Sequence, residues 1–296
     1  MTPTPTPVQT YMTTPSQPGW QLPAHACDAH VHVFGPTARF PYVPGLQKVP
    51  ADAPKEALFA WHQRLGFARC VVVQSAVHGM DNRVVEETLQ AGGGRYLGVA
   101  LVPVDVGLPE LQRLAGLGFR GVRFNFMKHL GAGADPQALI ALTHRLADCQ
   151  MHLQVHFESS LIHTLGDVFK QSAVPVVIDH MARVDATLGA QHADFQALCH
   201  LLDKPMFHVK VSGIDRIDEK VPLASPPYPH GVALAKYLVD TFPTQCVWGS
   251  DWPHPNHTHV PDDGVLTDAI QRIATTPALV QALLVDNPQA LYRFEH

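Results

Sequence analysis

The chain has no cysteine pair spaced for chemistry. Its five cysteines among 296 residues (Cys27, Cys70, Cys149, Cys199 and Cys246) are scattered and odd in number, with no CxxC. That suits neither a disulfide framework nor a thiolate metal site. Several fall inside apolar runs, where a free thiol acts as a small hydrophobe. Runs of Lys or Arg are also missing, and 21 basic against 26 acidic residues leave a formal charge of −5. Neither nucleic acid nor a membrane surface is therefore expected as a partner. No apolar run approaches the length of a membrane span. The opening MTPTPTPVQTYMTTPSQPGW carries neither a basic nor an apolar leader region. Its Thr/Pro content cannot build a core, so residues 1–22 are expected to form a disordered or extended arm. A reducing, cytoplasmic location is expected.

What the chain has in excess is histidine, 19 residues, the commonest metal ligand and a common general base. From residue 26 onward, β-branched runs alternate with helical patterns. The strand-like runs cover 26–34, 69–76, 96–103, 120–126, 151–157, 174–181, 207–213 and 245–252. Between them lie amphipathic segments such as PKEALFAWHQRLG and DPQALIALTHRLAD, several ending in a glycine at the expected C-terminal cap (Gly66, Gly92, Gly118). Alternation of this kind builds a parallel sheet. Eight units predict an α/β fold, a single (β/α)8 barrel over residues 23–296. A doubly wound open sheet is the competing arrangement, and the lack of a GxGxxG after the first run weighs against its dinucleotide-binding form.

In a barrel, functional residues gather at the C-terminal ends of the strands. The first run, CDAHVHVF, places His30 and His32 two residues apart, hence on one face of a strand. That is the geometry for gripping one divalent ion. A catalytic zinc takes about three protein ligands and keeps an open position. His156 can supply a third imidazole and Asp251 a carboxylate, with His180 left to orient water or polarise the substrate. A lone histidine on an apolar strand is more often a hydrogen-bonded core residue; five such groups at the ends of different strands are harder to explain that way. The fourth run, RGVRFNF, offers Arg123 and Asn125, and neither can bridge two cations, so one Zn2+ per chain or none is expected. Asp251 lies between two tryptophans in WGSDWPHPN, where burial is expected to raise its pKa and improve it as a base. His254 follows closely enough to touch substrate. Anion recognition falls to Arg123, Arg183 and Arg216, with Lys48, Lys128 and His129 as further candidates. Asp28 and Asp179 flank the histidines, either fixing their tautomers or holding backbone at the strand ends.

DAHVHVFGP, LGFARCVVVQSAVHGMDN, RGVRFNF, VVIDHMAR, VWGSDWPHPN and DNPQALYRF together resemble the amidohydrolase superfamily. They are most similar to its branch of 2-pyrone-4,6-dicarboxylate lactonases and 4-sulfomuconolactone hydrolases, from about residue 20 to the C-terminus. The resemblance implies a (β/α)8 barrel that opens an anionic lactone in bacterial breakdown of aromatic compounds. It implies Asp251 as the general base, His30, His32 and His180 around the lactone carbonyl, and Arg123, Arg183 and Arg216 on substrate carboxylates. The chain departs from the dicarboxylate lactonases at His156 and Lys48, where that group carries Tyr, at His129, where it carries Arg, and around Arg216. The His156 change completes a metal-ligand set like that of the zinc-containing 4-sulfomuconolactone hydrolases. The expected activity is accordingly hydrolysis of 4-sulfomuconolactone to maleylacetate and sulfite. A metal-independent dicarboxylate lactonase, a metal-dependent decarboxylase and a non-catalytic metabolite-binding protein are the alternatives.

Overall fold

A computed structural model describes residues 7–46, 48–127, 134–218, 226–257 and 259–295. Eight strands pair in parallel in chain order: β1 Cys27–Val31, β2 Arg69–Val73, β3 Tyr96–Ala100, β4 Phe119–Phe126, β5 His152–Phe157, β6 Val176–Ile178, β7 Phe207–Lys210 and β8 Cys246–Val247. Backbone bonds from Ala29 N to Trp248 O (2.8 Å) and from Asp251 N to His30 O (2.9 Å) join the last strand's extension to the first, as a barrel requires. The eight-unit expectation holds. Helices α1 Lys55–Leu65, α2 Arg83–Gly92, α3 Leu108–Gly116, α4 Pro136–Asp148, α5 Ile162–Phe169, α6 Ala193–Leu202, α7 Pro229–Thr241 and α8 Asp263–Ile273 fall between or after the strands, and two short helices, α9 Pro277–Gln281 and α10 Asn287–Tyr292, end the chain.

Local sequence explains the boundaries. Asp135 caps α4 by accepting from the amides of Gln137 and Ala138, with Pro136 in the first turn. Gly66 closes α1 at φ 91°, as expected. Gly92 instead ends α2 from inside, and Gly93 takes the left-handed cap at φ 58°. Several strands are shorter than their sequence runs. The sixth and eighth stop early because their polar ends turn away into loops, Asp179–Arg183 and 248–252, which carry site residues.

Strand parity divides the interior. On β4, β5 and β7, Val122, Phe124, Leu153, Val155 and Val209 pack outward under the helices. The alternate positions Arg123, Gln154 and Lys210 are buried as well, and Arg123 pairs in register with Gln154, and Asn125 with His156. Their side chains therefore face inward and make a polar layer inside the barrel. Beside it lies a small apolar cluster of Cys27, Ala29, Val71, Val73, Leu97, Val99, Val177 and Val247, closed by Leu291, Tyr292 and Phe294. A register shift between Asp28 and Val31 lets β1 supply Ala29 to that cluster and still turn His30 inward.

Residues 7–22 form no helix and are not free. Ser16 N donates to Asp262 Oδ1 (2.9 Å), Gly19 N to Asp268 Oδ1 (2.7 Å), and the Tyr11 ring stands edge-on to Trp252 at 4.9 Å. Composition predicts a disordered or extended arm, and what holds its described part in place is not visible there because every one of these partners is distant in sequence. Among the described residues, no helix is long and apolar enough to cross a membrane.

Candidate active site

Three imidazoles ring one carboxylate oxygen. Asp251 Oδ1 lies 3.7 Å from His30 Nε2, 3.4 Å from His32 Nε2 and 3.7 Å from His180 Nε2, and all four residues are buried. The strand geometry read from HxH is realised: the His30 and His32 rings stand 5.0 Å apart at 83°. His180 reaches the same point by another route. Residues His180 to Arg183 all have φ between 49° and 57°, one left-handed turn that costs roughly 1–2 kcal/mol per residue and swings the ring back toward β1. Asp251 is itself left-handed at φ 67°. Such strain persists only where the surroundings over-determine it.

Gly249 makes room for the arrangement. A Cβ there would stand 2.6 Å from His30 Cβ, so Gly249→Ala must displace His30. We expect it to destabilise the fold by about 1–3 kcal/mol and to lower kcat with it. Denaturant unfolding and steady-state kinetics would check both, and an unchanged unfolding midpoint would show that β1 yields freely.

The charge state of Asp251 differs from the sequence expectation. Burial does push its pKa up, but the Arg216 guanidinium, 2.6 Å from Oδ2, and the facing imidazoles outweigh it and hold the carboxyl well below its usual range. Arg216 Nη2 also meets Pro255 O (2.9 Å) and His257 Nδ1 (2.8 Å). Burial followed by the Lys210 ammonium pulls His30 down to about 4. Burial likewise lowers His156 and His180 well below the ordinary histidine value. Neutral His30 and His180 thus face an ionised carboxylate.

Beneath them lies a buried ionic layer. Asp179 accepts from Arg123 Nε (2.7 Å) and Gln154 Nε2 (3.0 Å), with His30 Nδ1 at 3.3 Å. Burial would raise its pKa; Arg123, His30 and Lys210 together pull it well below the carboxylate range. Asp28 does something else: its Oδ1 accepts the backbone amides of His30 (3.1 Å) and Ser250 (3.0 Å), pinning β1 to the residues after β8. Of the two roles open to these aspartates, Asp179 takes the side-chain one and Asp28 the backbone one.

Sequence reasoning missed Lys210. Fully buried on β7, its Nζ donates to Ala29 O (2.9 Å) and Gln154 Oε1 (2.8 Å), 3.3 Å from His30 Nδ1. Burial lowers its pKa from 10.5 to about 8. Between those values the unfolded chain binds more protons than the folded one, so this group's contribution to stability rises with pH across that window. Below about 8 both states are protonated and the penalty is constant. Wild type minus Lys210→Met should therefore show a stability difference that climbs from pH 8 to 10, by at most about 1.4 kcal/mol per pH unit. Urea titrations at several pH values would test this, and a flat difference would contradict a depressed pKa.

The remaining candidates divide. Arg183 is half-buried, and its charge adds to those of Arg123 and Arg216 in lowering the His156 pKa. Arg123 and Arg216 each commit nitrogen to an internal carboxylate. Lys48 is exposed. His254 is fully buried, with Nε2 2.8 Å from Asp263 Oδ1. Lys128 and His129 lie outside the described residues.

A metal ion fits one part of this set. His30 Nε2 is buried without a hydrogen-bond partner. His32 Nδ1 lies 2.7 Å from Val73 O; a carbonyl only accepts, so that nitrogen carries the proton and Nε2 presents its lone pair. The Nε2 distances to Asp251 exceed hydrogen-bond length and are near the ligand-to-ligand spacing of about 3.3 Å in a tetrahedral zinc site. His30, His32 and Asp251 can hold an ion together. His156 is not grouped with them: its Nδ1 meets Asn125 Oδ1 at 3.1 Å, its Nε2 is unpartnered, and its ring stands 5.4 Å from that of His180.

Comparison with known proteins agrees with this geometry. The Amidohydrolase family (Amidohydro_2) matches residues 27–294. A 2-pyrone-4,6-dicarboxylate hydrolase of Comamonas testosteroni is 42% identical over 284 residues, 94% of this chain and 93% of that one. A 4-sulfomuconolactone hydrolase of Hydrogenophaga intermedia is 36% identical over 275 residues, 92% of this chain and 89% of its own. A Pseudomonas putida crystal structure, provisionally described as a 2-pyrone-4,6-dicarboxylic acid hydrolase, superposes with a TM-score of 0.78 at 30% identity, over 93% of this chain and all of that one. With an HxH strand, a left-handed turn after β6 and an aspartate after β8 converging at the mouth of an eight-stranded barrel, the chain belongs to the amidohydrolase family of enzymes.

Proposed function

We propose that the enzyme hydrolyses a lactone bearing acidic substituents, with Asp251 as general base. The observation that carries this reading is the ring of three imidazole nitrogens around Asp251 Oδ1. Arg216 occupies Oδ2, which leaves Oδ1 to take the proton of an attacking water. As the hydroxyl adds to the lactone carbon, the acyl C–O bond of the ring breaks, and Asp251 returns the proton to the departing ring oxygen. His180, anchored through Nδ1 to Ser212 Oγ at 2.8 Å, steadies the carbonyl oxygen as it gains charge. Arg183 pairs with a substrate acid group, together with whatever nitrogens Arg123 and Arg216 do not spend internally. His30, His32 and Asp251 would hold a Zn2+ ion, which when bound would supply Lewis acidity and a lowered water pKa.

2-Pyrone-4,6-dicarboxylate is the substrate favoured here over 4-sulfomuconolactone. The dicarboxylate hydrolase is the more identical of the two relatives, 42% against 36%. The sulfonated reading leaned on His156 completing a ligand set, and His156 stands apart from the atoms grouped at Asp251. Its unpartnered Nε2, close to His180, keeps the sulfonated lactone as the second reading. Turnover of both lactones side by side, followed by loss of lactone absorbance, tests the assignment. A kcat/KM at least tenfold higher for the dicarboxylate is expected. The reverse preference would establish the second reading, and turnover of neither would overturn the proposal.

A further inference from the structure

A second cluster of metal-binding groups lies between the segment after β7 and the segment after β8, outside the ring described above. Asp215, fully buried, has no hydrogen bond to either carboxylate oxygen. Yet His257 Nε2 is 2.9 Å and His259 Nε2 3.4 Å from its Oδ2. Neither contact has hydrogen-bond geometry, and both ring nitrogens are otherwise unpartnered. His254 completes the group. Its Nε2 pairs with Asp263 at 2.8 Å, while its Nδ1 is buried with nothing to bond. A carboxylate that fixes one ring nitrogen and leaves the other as a bare lone pair is the usual support of a ligating histidine. One atom each from Asp215, His254 and His257 lie within 4.8 Å of one another.

Buried polar atoms are nearly always paired. Here Asp215 Oδ1 and His254 Nδ1 are buried without partners, and the 2.9 Å contact of His257 Nε2 with Asp215 Oδ2 is poorly directed for a hydrogen bond; a single cation would satisfy these groups together. The nearby charges permit it. Asp215, Asp251 and Asp263 all act on His254, and the Arg216 guanidinium acts on His257. Arg216 Nη2 has two hydrogens for three acceptors; ligation by His257 through Nε2 moves its ring proton to Nδ1, so the guanidinium turns from that nitrogen and keeps Asp251 and Pro255 O.

We infer that Asp215, His254 and His257, with His259 at the rim, form a second cation site for a borderline divalent transition metal such as Zn2+. Imidazole nitrogen with one carboxylate suits that class rather than Ca2+ or Mg2+. The ion clamps the segment after β7 to the segment after β8. Because Arg216 adjoins Asp215, and Asp251 lies three residues before His254, the clamp positions the guanidinium that holds the catalytic carboxylate. His254, expected from sequence to touch substrate, is here a ligand.

The test is metal binding by the full chain. Protein stripped with a chelator is titrated with Co2+ or Zn2+, read by ligand-field absorption and elemental analysis, and an anomalous diffraction map locates the ions. Wild type should take up one equivalent that Asp215→Asn and His257→Ala lose and His32→Ala retains. Asp263→Asn, which alters the orienting partner of His254 and also the acceptor of Trp61 Nε1 (3.1 Å), should weaken it by about 10–100-fold. His259→Asn, at a partly exposed position, guards against misfolding of the buried variants and should weaken binding several-fold with an unchanged Tm. Binding indifferent to all of these substitutions would overturn the inference. So would anomalous density confined to His30, His32 and Asp251, or no cation bound by the wild type in tenfold excess.

Discussion

Replacing Asp251 by Asn should lower kcat/KM by about 10³, within the 10²–10⁴ that a positioned general base contributes, while the chain stays folded. The substitution keeps volume and shape and removes the charge and the proton-accepting oxygen. Oδ1 is the atom all three imidazoles face, and Oδ2 is tied to Arg216 at 2.6 Å. An amide there can still occupy the space, but it cannot take a proton from water and return it to the ring oxygen. Arg216 keeps Pro255 O as a partner and is about one-tenth exposed, so the unpaired guanidinium should cost far less stability than activity. Kinetics on purified variant alongside its thermal melt would separate the two effects. Activity within tenfold of wild type would remove Asp251 from the role of base.

Arg123→Met should be the most destabilising single change in the barrel interior. The pair with Asp179 is 6% and 0% exposed, so solvent screens it little. Removing one partner of a buried ion pair leaves an uncompensated charge, at a cost of about 3–5 kcal/mol. Lys210 at 3.8 Å and Gln154 at 3.0 Å still face Asp179, which favours the lower end. For a chain of this size that corresponds to a fall in Tm of roughly 6–12 °C. Asp179→Asn added to the same chain should recover part of the loss, because the orphaned charge is what costs. Urea unfolding of wild type, both single variants and the double variant would measure the coupling; additive losses would mean that the pair is not the source.

Much of this was legible from residue types and spacing. The barrel follows from eight alternations, and His30 and His32 share a face because a strand repeats every two residues. Asp251 stood out as a carboxylate between two tryptophans. Its protonation did not follow from that setting, since tryptophans predict a raised pKa and the guanidinium that reverses it lies 35 residues earlier. His180 was legible as a residue of the site, but not its approach to Asp251, which depends on a left-handed turn that no propensity for Met181 or Ala182 would suggest. In FHVKVSG, Lys210 reads as one charge on a strand, ordinarily a solvated face. Its inward parity shows only when β7 is seated against β6 and β8.

The sequence by itself determined the order of elements, the strand parity and the set of chemically capable side chains, because these depend on local repeat and residue type. Only the tertiary structure decided which cation meets which carboxylate: Arg123 with Asp179, Arg216 with Asp251, and Lys210 with the carbonyl of Ala29, 181 residues away. Such pairings are set by distances of a few ångströms between residues remote along the chain. Charge energies fall off with those distances, whatever the separation in sequence.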